Sequence, residues 1–360
     1  MLFVWYKVSF DEKWSHGSAV CETVYFFVEF VCIFPWKCVS LNNQNRGKIM
    51  DGILRKLPIG IQTFEKLREG DYLYVDKTAL VWRIASTETP YFLSRPRRFG
   101  KSLLLSTFEA YFEGKKELFE GLVIANMEKE WKTYPVFHLD LNAEKYDSPQ
   151  ALVEILSRQL TQWELKYGKG EDEETLSGRF AGVICRACEQ SGRGVVVLVD
   201  EYDKPLLQAL GDDALLDDYR KTLKAFYGVL KSSDRYLRFV FLTGVTKFAQ
   251  VSVFSDLNQL NDISFDESYN TLCGMTREEI ETTFVPELQT MAASCRISSE
   301  EVMARMTKMY DGYRFTASES FSRKIFSTFF CRSYTCLRVW LSVFLMRATE
   351  VVSTGIPVTD

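Results

Sequence analysis

Short apolar runs alternate with longer amphipathic stretches through the middle of this 360-residue chain. Runs of four to eight apolar residues predict strands at 72–75, 91–94, 136–141, 195–200 and 237–243. Apolar positions recurring every three to four residues predict helices at 77–85, 101–112, 149–166, 173–190, 214–231, 277–295 and 299–309. Strands that alternate with helices imply an α/β fold with a parallel sheet covered on both faces. The run VVVLV at 195–199 has no polar position, as in a strand buried on both faces. The stretch GKGEDEE at 168–174 reads as a solvated loop between helices.

The pattern weakens at both ends. Residues 1–49 are rich in aromatics and cysteine but lack clear periodicity and turn punctuation, and regular patterning begins at Met50. The apolar run VYFFVEFVCIFPW at 24–36 is interrupted by Glu29 and Pro35. It is too short and too broken for a membrane-spanning helix or a secretory signal. Translated upstream sequence, a membrane-interacting segment and a structured extension all remain readings of 1–49, the first preferred. Residues 316–360 mix Ser, Thr, Arg, Cys and Phe with few acids. A frameshifted or truncated tail would read this way, and so would a poorly patterned helix near 337–347 that completes the core. The expected organisation is an atypical extension (1–49), a core (50–270), a helical lid region (271–315) and an atypical tail (316–360).

Composition adds little beyond a globular class: 46% hydrophobic and 26% charged residues, with a net charge of -4. That charge argues against a protein that coats nucleic acid generally. Nine cysteines without framework spacing fit a reduced, cytoplasmic chain. Cys185 and Cys188 form a lone CxxC with no second pair, so ordinary thiols outweigh a zinc site.

Chemistry enters at three strand ends. RPRRFGKS at 95–102 follows the 91–94 strand and opens a helix. It matches the phosphate-loop pattern GxxxxGK[ST] with arginine at the first glycine. Gly100 would let backbone N–H groups approach phosphates, Lys101 would meet the β- and γ-phosphates, and Ser102 would supply a hydroxyl to Mg²⁺. Arg95, Arg97 and Arg98 add positive charge, while Pro96 and Phe99 stiffen the loop. A basic turn capping an ordinary helix is the competing reading. The candidate nucleotide-binding set is Arg98, Phe99, Gly100, Lys101, Ser102 and Leu103, completed by Asp200.

The run VVVLVDEYDKPL ends a buried strand in two acids. Asp200 is the candidate Mg²⁺ holder and Glu201 the candidate general base. The alternative is an exposed strand end with two solvated acids. LRFVFLTGVTKF at 237–248 ends a third strand at Thr243, a candidate for orienting the attacking water or sensing the γ-phosphate. Lys101, Glu201 and Thr243 thus make the candidate catalytic set.

From about 57 to 315 the chain resembles the AAA-ATPase-like family of bacterial proteins. The matching blocks are LPIGIQTFEKLREGDYLYVDKT, YFLSRPRRFGKSLLLSTFEAYFEGKKELFEGL, VVVLVDEYDKPL, FVFLTGVTKFAQVSVFSDLNQLNDIS, YNTLCGMTREEIE and MYDGYRF. In that family the arginine form of the loop is usual. The resemblance implies a P-loop NTPase fold, a three-layer αβα sandwich with a mainly parallel sheet and a small helical lid. It also implies ATP and Mg²⁺ as cofactors and probable ATPase chemistry, with Gly100, Lys101, Ser102, Asp200 and Glu201 in the roles above. A non-hydrolysing nucleotide-binding scaffold and an inactive remnant are the alternatives. Asp76 and Lys77 are expected near the pocket, and Arg314 is expected in a structural ion pair rather than on a phosphate. Members are often joined to a PD-(D/E)XK nuclease-like domain, but 316–360 holds no convincing constellation of that kind. A nucleic-acid partner is therefore suggested only by family association. The resemblance leaves room for an unidentified protein partner and for an oligomer, and no membrane role is expected.

Overall fold

Four of the five expected strands form, and they do so at the expected places. In the computed structural model they are β1 (Tyr91–Ser94), β2 (Val136–Asp140), β3 (Val195–Asp200) and β4 (Leu237–Gly244). A two-residue strand, β5 (Asn261–Asp262), joins them. The structure describes residues 56–310, except 59, 143–144 and 248–259, together with the pair 325–326. The expectations for 1–49 and for the tail beyond 326, and Arg314, lie outside the described residues.

The sheet order is β2-β3-β4-β1-β5, and every neighbouring pair is parallel. The strand after the acid pair, β4, therefore sits between the loop strand β1 and the acid strand β3. Parallel strands need crossovers, and helices supply them on both faces. On one face lie α1 (Phe64–Glu69), α2 (Thr78–Ala85), α3 (Lys101–Phe112) and the short α4 (Ile124–Met127). On the other lie α5 (Pro149–Tyr167), α6 (Leu176–Ser191) and α8 (Asp213–Ser232), with the short α7 (Lys204–Gln208) following β3.

The strands divide their side chains by the period of two. Val195, Val197, Val199, Val240 and Leu242 enter one core. Val196, Leu198, Phe239 and Phe241 enter the other. The first core takes Leu152, Leu156, Leu160 and Trp163 from α5 and Phe180, Val183, Ile184 and Ala187 from α6. These are helical spacings that present one apolar stripe. Phe137 stacks on Trp163 at 4.5 Å and Phe180 on Phe226 at 4.4 Å. In the second core Phe108 and Phe112 of α3 press on Phe239 at 5.2 and 4.9 Å. Each such buried aromatic or leucine contributes about 1.5–3 kcal/mol relative to exposure. The result is a three-layer α/β sandwich.

Local signals set the helix starts. Thr175 accepts from Gly178 N–H at the head of α6, and Asp212 accepts from Leu215 N–H at the head of α8. Thus α6 begins at Leu176 rather than at 173.

A third, smaller core is helical. After β6 (Met275–Thr276) come α9 (Arg277–Thr283), α10 (Val285–Cys295) and α11 (Ser299–Tyr310). β6 pairs antiparallel with β7 (Ile325–Phe326). Thr276 and Glu279 form a reciprocal capping box that starts α9. The single helix expected over 277–295 breaks at Phe284, because Pro286 lies in the first turn of α10 and has no N–H to continue α9.

The strand expected at 72–75 does not form. Only a parallel bridge between Lys56 and Tyr72 appears there. Leu73 and Val75 instead fill the helical core with Ile280, Leu288 and Met291. Tyr74 packs edge-on against Phe64 of α1. The apolar run is real, but helices rather than neighbouring strands bury it. No helix among the described residues is long and apolar enough to cross a membrane.

Candidate functional site

The residues 95–102 run from the C-terminal end of β1 into α3, the edge where ligands meet a parallel α/β sheet. Two loop residues have positive φ: Arg98 at 72° and Gly100 at 88°. At Gly100 this explains the glycine, since an added Cβ would touch nothing there but the backbone itself is left-handed. Gly100 O then accepts from Leu104 N–H and starts α3.

Lys101 is 4% exposed. Its Nζ donates to Arg95 O at 3.0 Å and Pro96 O at 3.4 Å, and lies 3.0 Å from Glu201 Oε1. Glu201 is itself buried, and its Oε2 has no hydrogen-bond partner. It also holds a positive φ of 54°, a conformation that costs a non-glycine residue of order 1 kcal/mol or more. Glu201 thus combines a left-handed backbone with a buried carboxylate oxygen that accepts no hydrogen bond.

Asp200 joins the other two strand ends. Ser102 Oγ donates to its Oδ2 at 2.5 Å and Thr243 Oγ1 donates to its Oδ1 at 2.6 Å. Register explains the meeting: Thr243 lies opposite Leu93 on β1, and Val199 lies opposite Leu242 on β4. Strand order and register thus gather hydroxyls from positions 102 and 243 onto one carboxylate.

A cavity of about 280 Å³ covers this edge. Arg97, Arg98, Phe99, Gly100, Lys101, Ser102, Leu103 and Glu201 line it. Asp200 and Thr243 stand behind Ser102, outside the lining. The lining also includes the mostly apolar set Ile61, Tyr74, Val75, Leu272 and Met275, together with Gln62. Burial pushes the Tyr74 hydroxyl well above its ordinary value, with the Asp76 charge adding to it, so it stays neutral. Lys77 lines the cavity and ion-pairs with Glu279 of α9. Asp76 does not: its carboxylate accepts from Thr78 N–H and Val123 N–H, each at 2.8 Å, and fixes the starts of α2 and α4.

One charge expected in the loop points elsewhere. Arg95 is 1% exposed, and its Nη1 donates to Ser94 O at 2.9 Å and Ser264 O at 2.6 Å. Its guanidinium is buried beside the segment after β5, while Arg97 and Arg98 are exposed at the cavity.

Asp203 and Gly244 are the residues that motif reading missed. Asp203 is fully buried and accepts from Val245 N–H, Thr246 N–H and the Thr246 hydroxyl, so it shapes the chain just past Thr243. Its signal was available as the third acid of DEYD. Gly244 is needed because a Cβ there would lie 2.4 Å from the Tyr202 ring and 2.9 Å from Asp203 Oδ1. Nothing in the sequence marked that contact.

The donor set suits a hard divalent cation: a hydroxyl, a carboxylate and a second hydroxyl on the same carboxylate. Among the described residues no cluster of three or more His, Cys, Asp or Glu side chains is arranged for a metal. The Ser102 hydroxyl and the Asp200 carboxylate are the protein oxygens here that could hold a hard divalent cation. Cys185 and Cys188 are free thiols on α6.

Comparison with known proteins agrees with this geometry. The sequence pattern of the family described as Predicted AAA-ATPase matches residues 58–254. A protein of Azotobacter chroococcum mcd 1, described as an uncharacterized protein in the vnfD 5′ region, is 41% identical over 263 residues. That alignment covers 73% of this chain and 49% of the relative, so the chain spans about half the relative's length. With more than half of the chain under the family's pattern, and its loop, acids and hydroxyl gathered at one sheet edge, the protein belongs to the Predicted AAA-ATPase family.

Proposed function

We propose that the chain binds ATP with Mg²⁺ in the cavity over β1, β3 and β4 and hydrolyses it. The observation that carries this reading is the convergence of Ser102 and Thr243 on Asp200, next to the Lys101–Glu201 pair. Residues 95–102 act as a Walker A loop, and Asp200 with Glu201 as the Walker B acids.

Each residue has a task that its surroundings support. The N-terminus of α3 and the Lys101 ammonium attract phosphate oxygens. Arg97 and Arg98 add positive charge at the cavity mouth. Ser102 and Asp200 hold the cation, and Mg²⁺, when bound, neutralises phosphate charge. Phosphate oxygens take over Lys101, which releases Glu201 to accept a proton from water. Thr243 keeps Asp200 oriented by its 2.6 Å hydrogen bond. The apolar lining residues Ile61, Val75, Leu272 and Met275 take the base. Helices α9 to α11 serve as the lid, tied to the core by Lys77 and Glu279.

A second reading has one observation in its favour. The 3.0 Å Lys101–Glu201 contact engages the only carboxylate lining the cavity among the described residues. If it persists with nucleotide bound, the protein is a nucleotide-dependent switch without turnover. An unidentified protein partner and self-association remain part of the proposal in both cases.

The test is MgATP binding and phosphate release by the full chain beside its Lys101→Ala variant. Mg²⁺-dependent hydrolysis lost in the variant supports the enzyme. Binding without hydrolysis supports the switch. No binding by the parent refutes both.

A further inference from the structure

We infer that Arg95, at the position where phosphate loops usually carry their first glycine, is a positioning residue that presets Lys101 by clamping the loop's root to the segment after β5. This rests on the nucleotide reading of the site and adds to it a part that the loop pattern does not contain.

The bonds that bear on Lys101 meet at Arg95. Its N–H donates to Gly244 O at 3.1 Å, which ties it to the end of β4. Its Nη1 donates to Ser264 O at 2.6 Å, two residues beyond β5. Its carbonyl accepts from Lys101 Nζ at 3.0 Å. The residue that holds the lysine is thus itself held on two sides, and it is buried. Ser94 repeats the connection, with its N–H donating to Ser264 Oγ at 2.8 Å and its hydroxyl to Val245 O at 3.1 Å.

A glycine could supply the same carbonyl but not the clamp. The usual reason for glycine, a left-handed backbone, does not apply, because the positive φ values of this loop fall at Arg98 and Gly100. Freed from that constraint, the position can carry a long side chain that reaches another element. The clamp also extends. Ser264 N–H donates to Asp262 Oδ1 at 2.9 Å, and the other Asp262 oxygen pairs with Lys247 at 2.7 Å. Lys247 lies four residues past Thr243. A chain of direct contacts therefore joins the lysine of the loop to the segment just past the strand that carries Thr243.

A lysine ammonium at 95 can make the contact to Ser264 O, whereas methionine cannot. Full-length parent, Arg95→Lys, Arg95→Met and Lys101→Ala proteins are compared for MgATP affinity, and for melting temperature without nucleotide. Arg95→Met should bind MgATP about ten- to a hundredfold more weakly at temperatures where it is folded, the range set by one charge-assisted hydrogen bond. Arg95→Lys should restore binding to within about threefold of the parent, a change of under 1 kcal/mol.

A folded Arg95→Met protein that binds like the parent overturns the inference, and shows Arg95 to be structural only. Arg95→Lys as weak as Arg95→Met also overturns it. Should Arg95→Met fail to fold, Arg95→Lys decides alone, parent-like binding supporting the clamp and a tenfold loss refuting it. A parent that binds no MgATP overturns the nucleotide reading and this inference together, and that result needs no Arg95 variant.

Discussion

The hydroxyl of Thr243 donates to Asp200 Oδ1 at 2.6 Å, and Thr243 is fully buried. Loss of that hydroxyl leaves a buried carboxylate oxygen without its partner, which costs about 1–3 kcal/mol. Thr243→Val keeps the shape and removes the donor. We expect turnover about tenfold or more below the parent, with a lower melting temperature, because Asp200 loses its orientation. Steady-state hydrolysis and thermal melting measure the two effects. An unchanged rate would show that Ser102 orients Asp200 unaided.

Glu201→Gln keeps the volume and removes the base. Turnover should drop about 10²- to 10⁴-fold, the usual contribution of a positioned proton acceptor. MgATP affinity should hold or improve, since Lys101 no longer answers to a competing carboxylate 3.0 Å away. Single-turnover hydrolysis with equilibrium binding separates the two terms. A fall in affinity with hydrolysis intact would assign Glu201 to ligand positioning instead.

Gly244→Ala tests the close approach at the end of β4. The added methyl would meet the Tyr202 ring at 2.4 Å, in a spot backed by Asp203. Overpacking of this kind costs about 1–3 kcal/mol. A drop in melting temperature of roughly 2–4 °C per kcal/mol follows for a domain of this size. A variant as stable as the parent would mean that Tyr202 swings aside freely.

His138 makes stability depend on pH. Burial by itself lowers its pKa, but Glu109, with Oε2 3.0 Å from Nδ1, and the charges of Asp200 and Asp140 outweigh burial and raise it above 6.5. A folded pKa above the unfolded one contributes stability that is full below 6.5 and fades as pH rises through the folded value. The stability gap between parent and Glu109→Gln should therefore narrow as pH rises above 6.5. Urea midpoints across that range measure it. A gap that widens with pH would contradict the raised value.

Sequence and structure part company at identifiable places. The strand ends at Ser94, Asp200 and Thr243 were legible, because continuous apolar runs ending in polar residues reflect burial on both faces. The apolar run at 72–75 was equally clear but misled. A short apolar run says that a segment is buried, not what buries it, and here α1 and the helices after β6 do so. The two-residue β5 is too short to leave any pattern. The helix break at Phe284 was written in Pro286, yet the apolar spacing on both sides masked it.

Within the site, the residue types were readable and the partnerships were not. Loop, acid pair and hydroxyl could be named from strand-end chemistry, since each lies next to its own local signal. That Arg95 turns away from the loop, that Lys101 meets Glu201, and that Thr243 shares Asp200 with Ser102 were decided by strand order and register. Local sequence sets backbone preference and the period of burial, which act over a few residues. Side-chain contacts between groups about 40 to 170 positions apart, some of them to backbone, exist only once β4 lies between β1 and β3, and that arrangement is a property of the packed sheet.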